Sequence, residues 1–285
     1  MVENRRWLLI MTHGVLILGI LIIVFPIYIT FVASTHTLRD VVQSPMPALP
    51  GGEFFSNYSQ VLLAGLGEGS GFGNVGAARM MLNSLIMAIG IAVGKIAISI
   101  IAAFAIVYFR FPLRMTAFWL IFLTLMLPVE VRILPTYQVV AGLGMLNSYT
   151  GLIIPLIASA TATFMFRQVF LTVPDELMEA ARIDGAGPLR FFWDILLPLS
   201  RTNIAALFVI LFIYGWNQYL WPLLITTDQS MLTIVIGINR MLEVGDDQAQ
   251  WQLVMATTML AMVPPVLVVL LMQKLFVKGL VETEK

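Results

Sequence analysis

From Thr172 to Pro198 the chain reads TVPDELMEAARIDGAGPLRFFWDILLP, a long polar stretch between two apolar runs. It predicts a helix, a turn and a second helix. Pro174 suits the start of a helix, and Asp175 and Glu176 complement the positive end of its dipole. Leu177, Ala180, Ala181 and Asp184 share a face by their three- and four-residue spacing. Gly185 fits a left-handed C-terminal cap. Pro188 opens the second helix, Phe191, Phe192, Ile195 and Leu196 lie on one side of it, and Pro198 is expected to end it. Small alanines allow close approach to the helix backbone, and Glu179, Arg182 and Asp184 supply charges that can fix orientation in a groove. Two readings are open from these residues alone: a docking element for another chain, or an amphipathic connector lying on a membrane.

Outward from this loop the chain is too apolar to cover itself with a polar surface. It is 59% hydrophobic and 11% charged, against about 25% charged in soluble domains. Lipid is therefore the expected solvent. Six stretches are long enough to span, near 8–32, 82–108, 116–140, 150–170, 203–226 and 253–273. The first follows Arg5 and Arg6 but greatly exceeds the 7–15 apolar residues of a secretory signal, so a retained anchor is expected.

Basic residues orient the spans. With the N-terminus inside, the inner side holds Arg5, Arg6, Arg110, Arg114, Arg167, Arg182, Arg190, Arg201, Lys274, Lys278 and Lys285, and the outer side only Arg39, Arg79 and Arg240. Both termini are then cytoplasmic, and so is the loop 171–202. The expected organisation is an anchor helix with an outer loop over 1–81, a core of five spans over 82–275, and a short inner tail over 276–285. The outer loops read as surface connectors, and glycine-rich 65–76 as flexible.

The charge balance is zero, which argues against a nucleic-acid partner. Absent cysteine excludes disulfides and thiolate chemistry, and two histidines are too few for a histidine-based centre. No H-E-x-x-H, G-x-S-x-G or paired catalytic carboxylate is present, so no catalytic residue and no metal site is assigned. Gly90 to Lys95 is the nearest approach to a phosphate-binding loop, but it has the wrong spacing and lacks the hydroxyl. Gly90 and Gly94 read instead as a small-residue packing face. Any nucleotide chemistry belongs on other chains.

Glu179-Ala180-Ala181, Gly185, Ile195, Leu197 and Pro198 reproduce the EAA-x3-G-x9-I-x-LP signature in full. The chain thereby resembles the inner-membrane permeases of binding-protein-dependent ABC importers. The resemblance implies a type I importer permease fold, all-α with six transmembrane helices. It implies that the loop residues, with Arg182 and Asp184, couple to an ATPase. It also implies a second permease subunit, two ATPase subunits that bind ATP and Mg, and a periplasmic substrate-binding protein. Leu143–Leu146, Gly151–Pro155 and Trp216–Pro222 resemble the carbohydrate-uptake branch that includes maltose permeases. Phe109–Arg114, Leu127–Arg132 and Tyr214–Tyr219 are most similar to permeases of sn-glycerol-3-phosphate importers. That likeness implies sn-glycerol-3-phosphate or glycerophosphodiesters as cargo, with neutral sugars as the alternative; the outer segments 36–78 and 228–250 depart from it.

Three ionisable residues lie within expected spans: Lys95, Glu130 and Arg132. Charges there are costly and mark functional candidates. Lys95 and Glu130 fall at similar depth on neighbouring spans, so an ion pair between them is expected. Arg132 then either receives a phosphorylated anion, or pairs with Glu130 or a sister subunit. Pro128 and Pro135 are expected to break the helix around it. Asn217 and Gln218 lie near mid-depth of the fifth span and either line the pathway or join helices, the latter being the favoured reading. Trp216 and Trp221 read as packing residues.

Overall fold

The computed structural model describes residues 6–64, 75–243 and 249–281. Among the described residues the regular elements are all helices, with no strand. In chain order the helices are α1 (Arg6–Ser34), α2 (Leu38–Val42), α3 (Phe54–Ser59), α4 (Ala77–Tyr108), α5 (Arg114–Leu123), α6 (Val129–Gly142), α7 (Tyr149–Ile153) and α8 (Ala160–Leu171). They continue as α9 (Asp175–Ile183), α10 (Pro188–Phe191), α11 (Leu197–Leu199), α12 (Arg201–Trp216), α13 (Leu220–Ile225), α14 (Ile234–Leu242) and α15 (Trp251–Val281).

Among the described residues three helices are long and apolar enough to cross a membrane: Trp7–Ser34, Ala77–Tyr108 and Trp251–Lys274. Two bent pairs raise that number to as many as five: Tyr149–Leu156 with Ala160–Leu171, at 50°, and Pro188–Leu199 with Arg201–Trp216, at 71°. Three of the six expected spanning stretches are interrupted, 116–140 where Pro128 is expected to break it. The 116–140 stretch breaks at Leu127, which is extended (φ −82°, ψ 115°) because it precedes Pro128. The 150–170 stretch breaks after Leu156, and Ser159 recaps it by accepting the Ala162 amide at 3.3 Å. The 203–226 stretch breaks between Trp216 and Leu220.

Pro135 behaves differently from expectation. It lies inside α6 without ending it, and the adjacent Thr136 hydroxyl donates to the Arg132 carbonyl at 2.7 Å. Such side-chain bonds help membrane helices tolerate proline. Pro198 likewise does not stop its helix at once. The helix runs on to Leu199 through a wide π turn over Phe192–Leu196, then turns by 71° into α12. Proline has no N–H for the carbonyl four residues back, and wide turns of this kind relieve that strain.

The chain divides into two compact units, Met1–Arg79 with Gly237–Met262, and Met80–Ile236 with Val263–Lys285. In the first, much of α1 exposes its apolar side chains, as a helix facing lipid or another subunit would. The segment after α1 is more built than a surface connector. Asn57 is buried and donates to the carbonyls of Ser34 and His36, both at 2.9 Å. Thr37 and Asp40 form a capping box on α2, and the Phe54 and Tyr58 rings stack at 4.3 Å. These bonds fix 34–59, whereas most of glycine-rich 65–76 lies outside the described residues.

The second unit holds the core. Met87, Ile91, Ile133, Val140, Leu152, Trp221, Ile225 and Met231 pack together where α4, α6, α7 and α13 meet. The Trp221 indole donates to the Gly151 carbonyl at 3.1 Å, satisfying its one polar atom inside the core. Small residues let α4 approach its neighbours closely. A Cβ on Gly90 would stand 2.6 Å from Ile153, one on Gly94 2.5 Å from Ile157, and one on Gly215 2.9 Å from the Ala88 backbone.

Candidate functional site

The loop 171–202 forms the helix–turn–helix expected of it. α9 ends in a double cap. The Gly185 amide donates to the Arg182 carbonyl at 3.1 Å and the Ala186 amide to the Ala181 carbonyl at 2.8 Å. Gly185 carries the left-handed φ of +73° that this arrangement requires. Ala181 faces inward at 4% exposure, while Glu179, Ala180, Arg182 and Asp184 are exposed. Ala180 and Ala181 therefore face different surroundings rather than forming one contact face.

In the second helix Phe191, Phe192 and Leu196 are buried, and Ile195, Leu197 and Pro198 are half-buried. The Arg190–Asp194 pair, at 3.2 Å, is fully on the surface and contributes little. Ile183, Leu189 and Trp193 stand exposed on this otherwise polar loop. The signature does not include them, and their only sequence signal is apolar character beside charged neighbours.

An aromatic joint fastens the loop to the spans. Phe191 meets the Tyr108 ring at 5.3 Å, Phe192 meets Phe104 at 5.0 Å, and Tyr108 meets Phe170 at 6.1 Å. The Tyr108 hydroxyl also donates to the Phe170 carbonyl at 3.3 Å. The second loop helix thus packs against the ends of α4 and α8.

Farther along α4 lies a polar cavity of about 120 Å³, lined among others by Lys95, Arg132, Thr136, Tyr214, Gln218 and Trp221. Lys95 is buried, 18 residues from the Ala77 end of α4 and 13 from the Tyr108 end. At about 1.5 Å per residue it is roughly 20 Å from the nearer end. Its ammonium lies 3.8 Å over the centre of the Tyr214 ring, a cation–π contact that sequence spacing did not reveal. The side chain of Glu130 lies outside the described residues, so the expected Lys95–Glu130 pair is not part of this description. Arg132 is exposed on the cavity wall in the first turns of α6.

Asn217 and Gln218 occupy the break after α12. Asn217 is exposed, and the Gln218 amide donates back to the Tyr214 carbonyl at 3.2 Å. Neither side chain bridges helices among the described bonds, in contrast to the favoured joining role. Gln218 belongs to the cavity wall instead. Trp216 and Trp221 are buried, as packing residues should be.

Two asparagines that the sequence did not single out fasten the opposite end of this unit. Asn83 is fully buried, donates to the carbonyls of Ser230 and Leu232, and accepts the Tyr149 hydroxyl at 2.7 Å. Asn147 accepts the amides of Thr227 and Asp228 at 2.7 and 2.9 Å. No group of histidines and acidic residues suited to a metal ion occurs among the described residues.

Buried charge at mid-span, interrupted helices and an exposed capped loop define a transport component of a membrane. Residues 95–282 match the family of binding-protein-dependent transport system inner membrane components, and the chain belongs to that family. It is 59% identical over 285 residues to the sn-glycerol-3-phosphate transport system permease protein UgpE of Agrobacterium fabrum, the match covering all of both chains. It is 60% identical to the proteins of the same name from Yersinia pestis and Rhizobium meliloti, again end to end. In fold it is similar to a bacterial ABC transporter involved in the import of the acidic polysaccharide alginate, with a TM-score of 0.80 and 20% identity, covering 96% of this chain and 98% of the other.

Proposed function

We propose that this chain is one permease subunit of a bacterial inner-membrane importer and forms half of the pathway for sn-glycerol-3-phosphate. The observation that carries this reading is end-to-end identity of 59–60% with permeases named for that transport. In this reading the chain crosses the membrane six times with both termini inside. It pairs with a second permease, two ATPase subunits and a periplasmic binding protein. ATP and Mg reside on the ATPase subunits, and no cofactor is held by this chain.

The loop 171–202 is the coupling element. Glu179, Ala180, Arg182 and Asp184 meet the ATPase, and the Gly185 cap fixes the angle between the two loop helices. Closure of the ATPase pair moves the loop. The aromatic joint at Phe191 and Phe192 passes that motion to α4 and α8, and the interrupted spans exchange outward and inward access. Rigid segments joined at breaks suit such motion, because the change in backbone angle is confined to a few residues.

The test is reconstitution of the full complex in liposomes with its binding protein. ATP-dependent uptake of sn-glycerol-3-phosphate, exceeding that of glycerophosphocholine or maltose, is expected. Preferential uptake of a neutral sugar, or uptake without an ATPase chain, would overturn the reading.

A further inference from the structure

We infer that the cavity between Lys95 and Arg132 is the phosphate-holding subsite of the pathway, so that this subunit itself selects for an anionic cargo. The inference deepens the proposed function and rests on it for the identity of the cargo.

Two cations from different helices, α4 and α6, line one small cavity, and none of the described residues lining it is acidic. Like charges sharing a partly desolvated site repel, and a bound anion relieves that repulsion. The two cations also differ usefully. Lysine offers a compact point charge, and arginine a planar fork that matches two phosphate oxygens. The Tyr214 ring holds the Lys95 ammonium at 3.8 Å without neutralising it, as a carboxylate would.

The cavity lies where the spans are interrupted. Leu156 and Ala158 come from the break before α8, and Gln218 and Leu220 from the break after α12. Irregular backbone at membrane depth is tolerated where it lines a cavity, and transporter sites form at such discontinuities. At about 120 Å³ the space is well below the roughly 300–1,000 Å³ that encloses a drug-sized ligand. It suits one small charged group, with Gln218 in the same wall as a polar partner for a neighbouring hydroxyl of the cargo.

The experiment uses the full complex in liposomes, comparing wild type with K95Q, R132Q, K95R and R132K. Co-purification with the ATPase chain checks assembly. At least a tenfold fall in sn-glycerol-3-phosphate uptake is expected for K95Q and R132Q, recovery to within about threefold of wild type for K95R, and uptake between that of R132Q and wild type for R132K, which keeps the charge but loses the fork. Uptake by the glutamine variants within twofold of wild type overturns the subsite, and equal loss in the charge-conserving variants overturns it in favour of a structural role. If K95Q does not assemble, R132Q decides, because Arg132 is exposed on the cavity wall. The substrate reading fails separately, when wild type itself carries a neutral sugar and no sn-glycerol-3-phosphate.

Discussion

The ammonium of Lys95 lies 3.8 Å above the ring centre of Tyr214, joining the middle of α4 to the last turn of α12. A desolvated contact of this type is worth up to about 2 kcal/mol, and it depends on the ring rather than on the hydroxyl. Tyr214→Phe should therefore keep wild-type transport, while Tyr214→Leu should lower it roughly tenfold or more. Uptake per assembled complex in liposomes separates the two.

Gly185 sets the second relationship, between the loop helices. A side chain at its φ of +73° costs about 1–2 kcal/mol, and no neighbouring atom lies near enough to add a clash. Gly185→Ala should leave the spans folded and displace α9 from α10. The expected outcome is weaker co-purification of the ATPase and a severalfold loss of transport, with the melting temperature of the isolated permease pair changed by no more than a few degrees.

Tyr108 tests the aromatic joint. Tyr108→Leu keeps apolar volume but removes the ring contact with Phe191 and the hydrogen bond to Phe170. ATPase binding should persist, because the loop surface is untouched. Stimulation of ATP hydrolysis by loaded binding protein should fall severalfold, and a hydrolysis assay with and without binding protein reads this directly.

Gly215 tests close packing. Its added Cβ would meet the Ala88 Cα at 2.9 Å, and backbone cannot swing aside as a side-chain tip can. Gly215→Ala should destabilise by about 1–3 kcal/mol through overpacking. Gly142→Ala, at an open position, is the control. Thermal unfolding of the purified complex in detergent should show a clear drop for the first and none for the second.

Much of the loop was legible because its determinants are local. Gly185 needs only its neighbours' carbonyls to form its cap, and Pro188 needs only its own ring to start a helix. The break at Leu127 was legible for the same reason, since the following proline excludes the helical conformation. The continuity of Pro135 was not, because it depends on how the rest of α6 is held. The packing role of Gly90 and Gly94 was visible as a pattern, but their partners, Ile153 and Ile157, were not.

By itself, then, the sequence determined a membrane-embedded helical chain and a capped helix–turn–helix loop, because apolar run length, proline, glycine and the seven-position signature act over a few residues each. Only the tertiary structure decided that Lys95 meets Tyr214 across 119 positions of chain, that Gln218 joins the cavity wall rather than bridging helices, and that Asn83 clasps the carbonyls of Ser230 and Leu232. Those contacts depend on where separate helices break and how closely their small residues let them approach. No single segment carries that information.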